Sequence, residues 1–281
     1  MFKIIKKECL SPGVYRYDVE APRIAKKTQP GQFIILRVDE VGERIPLTVA
    51  DFDRDKGIIT IIFQVVGAST EALAALDEGD SIMDFVGPLG KKSDVRPGIG
   101  TVVCIGGGIG VAPVYPIARG MKEAGNKVIS IMGARNKDIL IMEKEMADAS
   151  DELLITTDDG SYGIHGFVTN ALQTLIDRGE KIDVVYAIGP VVMMRSVVNV
   201  TKPLGLKTVV SLNPVMVDGT GMCGGCRVEV GGETKFACVD GPEFDGVLVD
   251  FKGLMERQGM YREQENVARD HACKIGLGRV K

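Results

Sequence analysis

Three of the six cysteines lie within sixteen residues of one another, and their spacing constrains the chain more than any other feature. Two residues separate Cys223 from Cys226, Cys238 follows twelve positions later, and four residues separate Asp218 from Cys223. A plant-type two-iron cluster is held by C-x4-C-x2-C and a distant fourth cysteine, so this segment has that pattern with aspartate first. The loop glycines leave room for backbone N–H groups to turn toward the sulfides of a cluster. The spacing therefore predicts a [2Fe-2S] site with Asp218, Cys223, Cys226 and Cys238 as ligands.

Zinc is the competing occupant of these four side chains, because three cysteines and one carboxylate also suit a tetrahedral zinc ion. The x4 and x2 spacings and the glycine content favour the iron–sulfur cluster. The zinc alternative belongs to another class of protein, a non-enzymatic regulator that holds zinc and binds a nucleotide.

The other cysteines, Cys9, Cys104 and Cys273, are scattered, and we expect them to have no special role. The first ten residues, MFKIIKKECL, lack the apolar stretch of a signal peptide. We therefore expect a cytoplasmic, reducing environment, where disulfides are rare and clustered cysteines more often bind metal or carry out redox chemistry.

Length and charge limit the remaining function classes. The chain has 281 residues, which at about 150 residues per domain suggests two compact units with modest additions. The formal net charge of −4 provides no electrostatic basis for binding a nucleic-acid backbone. Residues 99–118 carry no charge but contain five glycines and two prolines, so we predict a strand, a turn and a helix there rather than a membrane span.

Residues 1–96 contain short apolar runs separated by turn residues. The runs are 32–37, 57–66 and 81–86, and 69–76 is the one segment that we predict as helical in this region. This spacing predicts a small antiparallel β-barrel or sandwich.

Residues 97–212 alternate between strand and helix patterns. The predicted strands are 101–105, 127–132, 153–157, 184–188 and 208–212, and the predicted helices are 111–124, 167–178 and 193–200. This alternation predicts a Rossmann-like parallel sheet that is covered by helices on both faces.

Residues 213–247 carry the cysteine loop and a hairpin-like stretch at 226–238, and they form the predicted cluster module. Residues 248–281 form a C-terminal helical extension, with a polar helical run at 261–274, which is a candidate contact for a partner protein. The expected fold class is β + α/β, with an N-terminal antiparallel barrel, a Rossmann-like domain and a small iron–sulfur module.

A glycine-rich turn, Gly106-Gly-Gly-Ile-Gly-Val-Ala-Pro113, joins the first strand of the second domain to its first helix. Glycines let the backbone approach a pyrophosphate, and the helix N-terminus supplies positive potential. The third glycine of the standard dinucleotide fingerprint is absent, and a tight packing turn is the alternative explanation. After the second strand, Arg135 would favour a 2′-phosphate and Asp138 a ribose diol, so NAD and NADP both stay open.

Three turns of the first domain would together suit a flavin and its phosphates. Arg44-Ile-Pro-Leu-Thr48 places a cation and a hydroxyl beside a rigid proline, Gly67-Ala-Ser-Thr70 opens a helix, and residues 87–90 form a further turn. Each of these motifs alone is also explained as an ordinary turn or helix cap.

Taken in this order, the three groups of motifs resemble the ferredoxin reductase-like flavoprotein family, in the branch with a C-terminal two-iron cluster. The resemblance covers essentially the whole chain. The Asp-x4-Cys-x2-Cys loop is its most specific element, because the dihydroorotate dehydrogenase electron-transfer subunits of this branch have cysteine where Asp218 stands. The resemblance implies FAD on residues 1–96, NAD(H) on 97–212 and the [2Fe-2S] cluster on 213–247.

The resemblance also implies which residues bind the cofactors. Thr48 matches the hydroxyl that faces flavin N5 and is the candidate catalytic residue, whereas Ile45 holds the family's arginine position and Arg44 lies one residue earlier. The implied FAD contacts are Arg44, Pro46, Leu47, Thr48, Gln64, Val65, Gly67, Ala68, Ser69 and Thr70. The implied NAD(H) contacts are Gly108, Ile109, Gly110, Ala112, Pro113, Arg135, Asp158, Gly189, Pro190 and Met193.

The resemblance implies an electron-transfer flavoprotein subunit, in which hydride passes from NADH to flavin N5 and single electrons pass to the cluster. It further implies a heterodimer with a large subunit that carries a second flavin and four-iron clusters. That complex would exchange electrons with ferredoxin and NADP and would bifurcate electrons at a flavin. An electron-transfer subunit of dihydroorotate dehydrogenase is the alternative within the enzyme class.

Overall fold

The computed structural model describes residues 1–267 of the chain. Residues 262–267 are helical and exposed. The end of the helical run predicted at 261–274, the remainder of the C-terminal extension and Cys273 lie outside the described residues.

The first seven strands form one antiparallel sheet that nearly closes into a barrel. They are β1 (Phe2–Ser11), β2 (Val14–Glu20), β3 (Phe33–Arg37), β4 (Ile45–Asp53), β5 (Ile58–Gln64), β6 (Ser81–Ile82) and β7 (Asp84–Leu89). Their order is β6-β1-β2-β5-β4-β3-β7. A single residue, Met83, separates β6 from β7 in the chain, so the two ends of the sheet lie close together. Two short helices, α1 (Pro22–Ala25) and α2 (Ala68–Ala74), complete this unit.

Strands β1, β2 and β4 and helix α1 are absent from the sequence-based prediction of this unit, and residues 45–48, which we interpreted as part of a turn, begin β4 instead. Lysine and glutamate side chains interrupt the apolar pattern of β1, in which Ile4 and Ser11 are the buried positions. The strand forms because its backbone pairs with β2 on one side and β6 on the other. Tertiary pairing therefore overrides a weak local pattern.

The next strands form a sheet whose helices pack on its two faces. The strands are β8 (Thr101–Gly107), β9 (Lys127–Ala134), β10 (Glu152–Thr157), β11 (Ile164–His165), β12 (Val184–Ile188) and β13 (Thr208–Ser211). The helices are α3 (Val111–Glu123), α4 (Glu143–Asp148), α5 (Val168–Asp177) and α6 (Val191–Thr201). All pairs among these six strands are parallel. The predicted Rossmann-like sheet is confirmed.

The last elements are β14 (Arg227–Val230), β15 (Glu233–Phe236), α7 (Ala237–Asp240), β16 (Glu243–Asp245) and α8 (Phe251–Gln258). β14 and β15 form a two-stranded hairpin, whereas β16 pairs antiparallel with β13 and extends the sheet to the order β11-β10-β9-β8-β12-β13-β16. A strand from the segment with the cysteines therefore adds one antiparallel edge to the predicted parallel sheet, which the sequence analysis did not foresee.

Two apolar cores bridge the units. One contains Phe33 and Ile35 of the barrel together with Cys226 and Cys238, and it extends through the Rossmann-like sheet. Another joins Ile62 of the barrel to the start of α3. The boundaries that we predict at residues 96, 212 and 247 thus separate units that pack on one another, and the division into domains stays a prediction. Within residues 1–267, every helix is too short or too polar to cross a bilayer.

Candidate functional site

The hairpin of β14 and β15 sets two cysteines side by side. Arg227 pairs with Phe236, so the chain before β14 meets the chain after β15, and the Ala237 N–H donates to the Cys226 carbonyl at 3.1 Å. The Sγ atoms of Cys226 and Cys238 are 3.1 Å apart, and both residues are 2% exposed. Burial and the neighbouring Cys226 sulfur raise the pKa of Cys238 to about 12. Two adjoining buried thiols suit a metal site, because a bound metal would take the place of the thiol protons.

Backbone N–H groups of the glycine-rich loop point at the sulfur atoms. The Gly225 N–H donates to Cys223 Sγ at 3.4 Å. This bond, together with the Asp218 N–H, lowers the pKa of the Cys223 thiol. The Gly221 N–H likewise lowers the pKa of the Cys238 thiol, although burial raises that pKa by more. Hydrogen bonds to sulfur stabilise anionic ligands and tune the reduction potentials of iron–sulfur clusters.

Asp218 folds the first part of the loop around its carboxylate. Oδ2 accepts the N–H of Thr220 at 2.9 Å and of Met222 at 3.3 Å, and it also accepts the Thr220 hydroxyl. The bonds from Thr220 lower the pKa of Asp218, which keeps the carboxylate anionic at neutral pH. Because all three bonds end on Oδ2, Oδ1 is the oxygen that could face a metal.

The structure brings together two of the four predicted ligands. In residues 1–267, no group of three or more His, Cys, Asp and Glu side chains is gathered closely enough to hold a metal ion as it stands. Cys226 and Cys238 adjoin, whereas Cys223 is exposed and Asp218 turns toward Thr220. The donor set nevertheless suits a [2Fe-2S] cluster, because three sulfurs and an anionic oxygen lie on one loop and hairpin whose N–H groups face sulfur. Binding would require the Cys223 and Asp218 side chains to turn inward.

Two glycine-rich loops meet at the carboxyl edge of the Rossmann-like sheet. A 3-10 turn, Gly108–Gly110, follows β8, and Gly189-Pro190 follows β12. β8 and β12 are neighbours, but the chain builds β9, β10 and β11 on the other side of β8 before it returns to β12. This reversal is a topological switch point, where open α/β sheets bind their ligands.

The turn leaves open space in front of α3. A Cβ on Gly110 would lie 2.2 Å from the Ile188 carbonyl oxygen, so this glycine is packed against β12. Gly108 has a φ of +55°, and a Cβ there would have no atom within 4 Å. Ala112 and Pro113 form the first turn of α3, and the positive potential at this helix N-terminus would suit a pyrophosphate in that space.

The predicted nicotinamide-side residues border the same edge. The Met193 N–H donates to the Pro190 carbonyl at 2.9 Å at the start of α6. A Cβ on Gly189 would lie 3.0 Å from both the Gly107 oxygen and Met193 Cε. Pro190, Gly189 and Met193 therefore line the switch point opposite the glycine-rich turn.

Arg135 and Asp158 lie together beyond the ends of β9 and β10. The Asp158 N–H donates to the Ala134 carbonyl at 3.0 Å, and the Asp159 N–H donates to the Arg135 carbonyl at 3.2 Å. Asp138 follows in a 3-10 turn on the same side. A cation and several carboxylates thus share this edge, and the choice between NAD and NADP stays open.

The predicted flavin contacts lie on β4 and at the start of α2. Pro46, Leu47 and Thr48 pair with β3, with Thr48 opposite Phe33. Gln64 ends β5, Val65 follows it, and Gly67 precedes α2, which begins with Ala68. One strand and one helix start of the barrel therefore carry these residues.

The two hydroxyls of the predicted phosphate turn have different partners. Thr70 Oγ1 accepts the N–H groups of Val66 at 2.9 Å and Gly67 at 3.1 Å, so it shapes the turn itself. The Ser69 hydroxyl donates to the Glu43 carboxylate at 3.0 Å. Of the two, Ser69 is the one whose hydroxyl could exchange its partner for a phosphate.

Arg44 lies just before β4, and its guanidinium reaches the cysteine loop. Nε donates to the Val217 carbonyl at 3.0 Å, and Nη2 to the Asp218 carbonyl at 3.5 Å. The role of Arg44 at the FAD phosphates stays a prediction.

An ion pair holds the barrel on the nucleotide unit. Arg119 Nη1 of α3 lies 2.6 Å from Asp51 Oδ1 of β4, and both side chains are less than one-third exposed. The Arg119 guanidinium also lies over the rings of Phe52 and Tyr115. The strand with Thr48 is therefore fixed against the helix that begins at the glycine-rich turn.

Glu243 is a half-buried residue at a junction of the units, and sequence reasoning missed it. It lies on β16, and the Ser93 hydroxyl, 150 residues earlier, donates to Oε1 at 2.5 Å. Burial raises the pKa of Glu243 to about 7. A Cβ on Gly31 would lie 2.7 Å from Oε1, so barrel, linker and sheet meet at this carboxyl group. No local sequence signal marks such a long-range junction.

Two known domain families match parts of the chain. The iron–sulfur cluster binding domain of dihydroorotate dehydrogenase B matches residues 213–250, and the oxidoreductase NAD-binding domain matches residues 104–199. These ranges contain the cysteine loop and the glycine-rich turn.

Known proteins are similar to the chain over nearly its whole length. A Clostridium beijerinckii protein, named as the uncharacterized protein in the adh 3′ region, is 52% identical over 95% of this chain and 93% of its own. A Thermotoga maritima homolog of the electron transfer subunit of dihydroorotate dehydrogenase B (NAD(+)) is 47% identical over 97% of this chain and 95% of its own. A solved structure of the NADH-dependent reduced ferredoxin-NADP oxidoreductase matches with a TM-score of 0.92 at 46% identity. The match covers 97% of this chain and 98% of that chain, and that structure is described in terms of flavin-based electron bifurcation.

Proposed function

Because the chain belongs to the ferredoxin reductase-like flavoproteins related to the dihydroorotate dehydrogenase B electron transfer subunits, we propose that it is an electron-transfer subunit of an NADH-dependent ferredoxin:NADP oxidoreductase. In this role it passes electrons between NAD(H), FAD and a [2Fe-2S] cluster. The enzyme is an oxidoreductase, and its complex bifurcates electrons at a flavin.

The observation that carries this proposal is the junction of three sites in one chain. The switch-point turn after β8, the β4 strand with Thr48 and the sulfur pair of Cys226 and Cys238 lie on units that share apolar cores. Electron transfer needs such proximity, because cofactors on separate, unpacked units would not exchange electrons efficiently.

Bound FAD would accept a hydride and release electrons singly, and a bound cluster would carry one electron at a time. The chain's own residues bind and orient these groups. The turn at 108–110 and the N-terminus of α3 would bind the pyrophosphate of NAD(H), and Gly189 and Met193 would hold its nicotinamide end. Thr48 would supply a hydroxyl hydrogen bond to bound FAD from β4. Since hydride transfer depends on position, the mechanism assigns no side chain as a general acid or base.

We propose a larger partner subunit, since the relatives include proteins named as electron transfer subunits of dihydroorotate dehydrogenase B and a homolog of one. On this proposal the partner carries a second flavin and four-iron clusters, and ferredoxin and NADP react there. The cytoplasm stays the predicted location.

An absorption spectrum of the purified full chain tests the proposed function. We expect flavin bands in the visible region with the broad absorption of a two-iron cluster beneath them, and iron, sulfide and FAD in the ratio 2:2:1, as follows from one cluster and one flavin per chain. A colourless protein that contains zinc would contradict the proposal and support the zinc-binding regulator.

A dihydroorotate dehydrogenase electron-transfer subunit is the second candidate, and the match of residues 213–250 to the cluster domain of that enzyme favours it. The two candidates differ in the partner. Purification of the native complex, followed by assays of dihydroorotate oxidation and of ferredoxin-dependent NADP reduction, decides between them.

A further inference from the structure

Arg44 joins the flavin barrel to the segment that carries Asp218. The two lie 174 residues apart in the chain, and the link consists of two hydrogen bonds from one guanidinium, to the carbonyls of Val217 and Asp218. Arginine presents several N–H donors in a fixed, planar arrangement, so it can fix two successive peptide groups at once. Arg44 is half-buried, and its bond to the Val217 carbonyl lies at the surface whereas its bond to the Asp218 carbonyl is partly buried.

Gly219 fixes the same segment at a second point. Its φ is +82°, and a Cβ there would lie 2.9 Å from Ile35 Cγ1 and 2.9 Å from Leu89 Cδ1. Ile35 belongs to β3 and Leu89 to β7, so the loop lies directly on the barrel wall. Residues 217–219 therefore contact the barrel through a guanidinium on one side and a close backbone approach on the other.

The cysteine part of the loop is held differently. Arg227 Nη1 donates to the Gly224 carbonyl at 2.9 Å, and Arg257 Nη2 to the Gly225 carbonyl at 3.2 Å. Arg227 lies on β14 and Arg257 on α8, both outside the barrel. The loop thus has two independent supports, and the Asp218 side depends on the barrel.

We infer that Arg44 is a positioning residue through which the flavin barrel holds the aspartate ligand of the cluster. The inference rests on the proposed function, since it needs a cluster at Asp218. The two hydrogen bonds fix the peptide groups that flank the Asp218 side chain, and the positive charge stabilises the carboxylate. Arg44 then acts on the cluster rather than on the FAD phosphates.

The test compares the native full chain with Arg44→Gln, Arg44→Lys and, as a control, Arg178→Gln. Arg178 pairs with Glu152 on the Rossmann-like sheet, away from the loop. For each protein we would measure FAD, iron and sulfide per chain, the rate of iron loss to a chelator, and the electron paramagnetic resonance spectrum of the dithionite-reduced cluster.

We expect Arg44→Gln to lose iron about tenfold faster than the native chain and to show changed g values, with FAD per chain unchanged, because outer-shell partners typically contribute this much to metal affinity. Arg44→Lys keeps the positive charge but not the planar pair of donors. Its rate of iron loss should therefore lie between those of the native chain and Arg44→Gln. Arg178→Gln should match the native chain.

Loss of FAD from Arg44→Gln with iron held as firmly as in the native chain would overturn the inference, and so would a variant that matches the native chain in every measurement. If Arg44→Gln fails to fold, Arg44→Lys decides in the same way. A native chain without flavin and iron would instead refute the proposed function, so the two failures are distinguishable.

Discussion

Asp218 supplies oxygen where the other three predicted ligands supply sulfur, and its role can be tested by replacement in two directions. We expect Asp218→Ala to lose iron and sulfide by more than the roughly tenfold loss in affinity typical of an outer-shell change, while FAD stays bound. Asp218→Cys restores an all-thiolate set and should retain the cluster with a shifted reduction potential. Iron analysis and a redox titration measure these effects. An unchanged cluster spectrum in Asp218→Ala would remove Asp218 from the ligand set.

Thr48 is the residue whose hydroxyl we place at the reacting edge of the flavin. Thr48→Val keeps the shape but removes one neutral hydrogen bond, worth about 0.5–1.5 kcal/mol. Flavin reduction by NADH should therefore slow by roughly 2- to 10-fold, which stopped-flow absorbance would measure. Thr234→Val on the exposed hairpin serves as the control. Equal rates in Thr48→Val and the native chain would contradict this role.

At the scale of single residues, local spacing predicted the chemistry of the loop but not its supports. The x4 and x2 intervals are visible in the sequence, and the pairing of Cys226 with Cys238 follows from a short hairpin. The partners of Arg44 lie 173 and 174 residues away, and Ser93 lies 150 residues from Glu243. Only the folded chain brings such residues together.

At the scale of elements, the turn before α3 contains two glycines with different roles. Gly110 packs against β12, whereas Gly108 borders the open space that we assign to the pyrophosphate. Gly110→Ala would drive a methyl group into the β12 backbone and should cost about 3 kcal/mol of unfolding free energy. Gly108→Ala has open space around it and should cost only about 1 kcal/mol, from its positive φ.

The same methyl group on Gly108 projects into the space that we assign to the pyrophosphate. Gly108→Ala should therefore weaken NADH binding strongly while the protein stays folded. Urea unfolding measures the stability of both variants, and equilibrium titration measures the Kd of NADH for Gly108→Ala. Native NADH affinity in a folded Gly108→Ala would show that the nucleotide lies elsewhere.

The predicted elements of the Rossmann-like unit agree with the structure to within two residues at each end. These strands are continuous apolar runs, because both faces of a parallel sheet are buried. β1 and β16 gave no such signal, since β1 is half exposed and charged and β16 is three residues long. Their pairing partners, rather than their own sequences, make them strands.

At the scale of the whole molecule, Glu243 makes the junction of the units sensitive to pH. The groups that face it are Ser93, Asp94, Tyr186 and Cys104. None of these four groups is a cation, so none of them compensates the charge of the carboxylate. Its pKa is about 7 in the folded chain against 4.5 for an ordinary glutamate. The neutral form therefore stabilises the fold fully below pH about 4.5, and this contribution is lost as the pH rises through 7.

The Glu243→Gln variant has a side chain of nearly the same shape, and its amide stays neutral at every pH. Chemical unfolding at a series of pH values should show that this variant gains stability over the native chain above pH 7, by up to about 3 kcal/mol, and loses the advantage near pH 5. Glu233→Gln, on the exposed hairpin, should change little. Parallel pH profiles for Glu243→Gln and the native chain would rule out this source of pH dependence.

On the proposed function, one chain carries electrons from NADH through a flavin to an iron–sulfur cluster. An anaerobic titration of the purified full chain with NADH tests it, followed by visible absorption and electron paramagnetic resonance. We predict that the flavin bands bleach and that the signal of a reduced two-iron cluster grows as NADH is added. Flavin that is reduced with no cluster signal, or a chain that does not respond to NADH at all, would contradict the account.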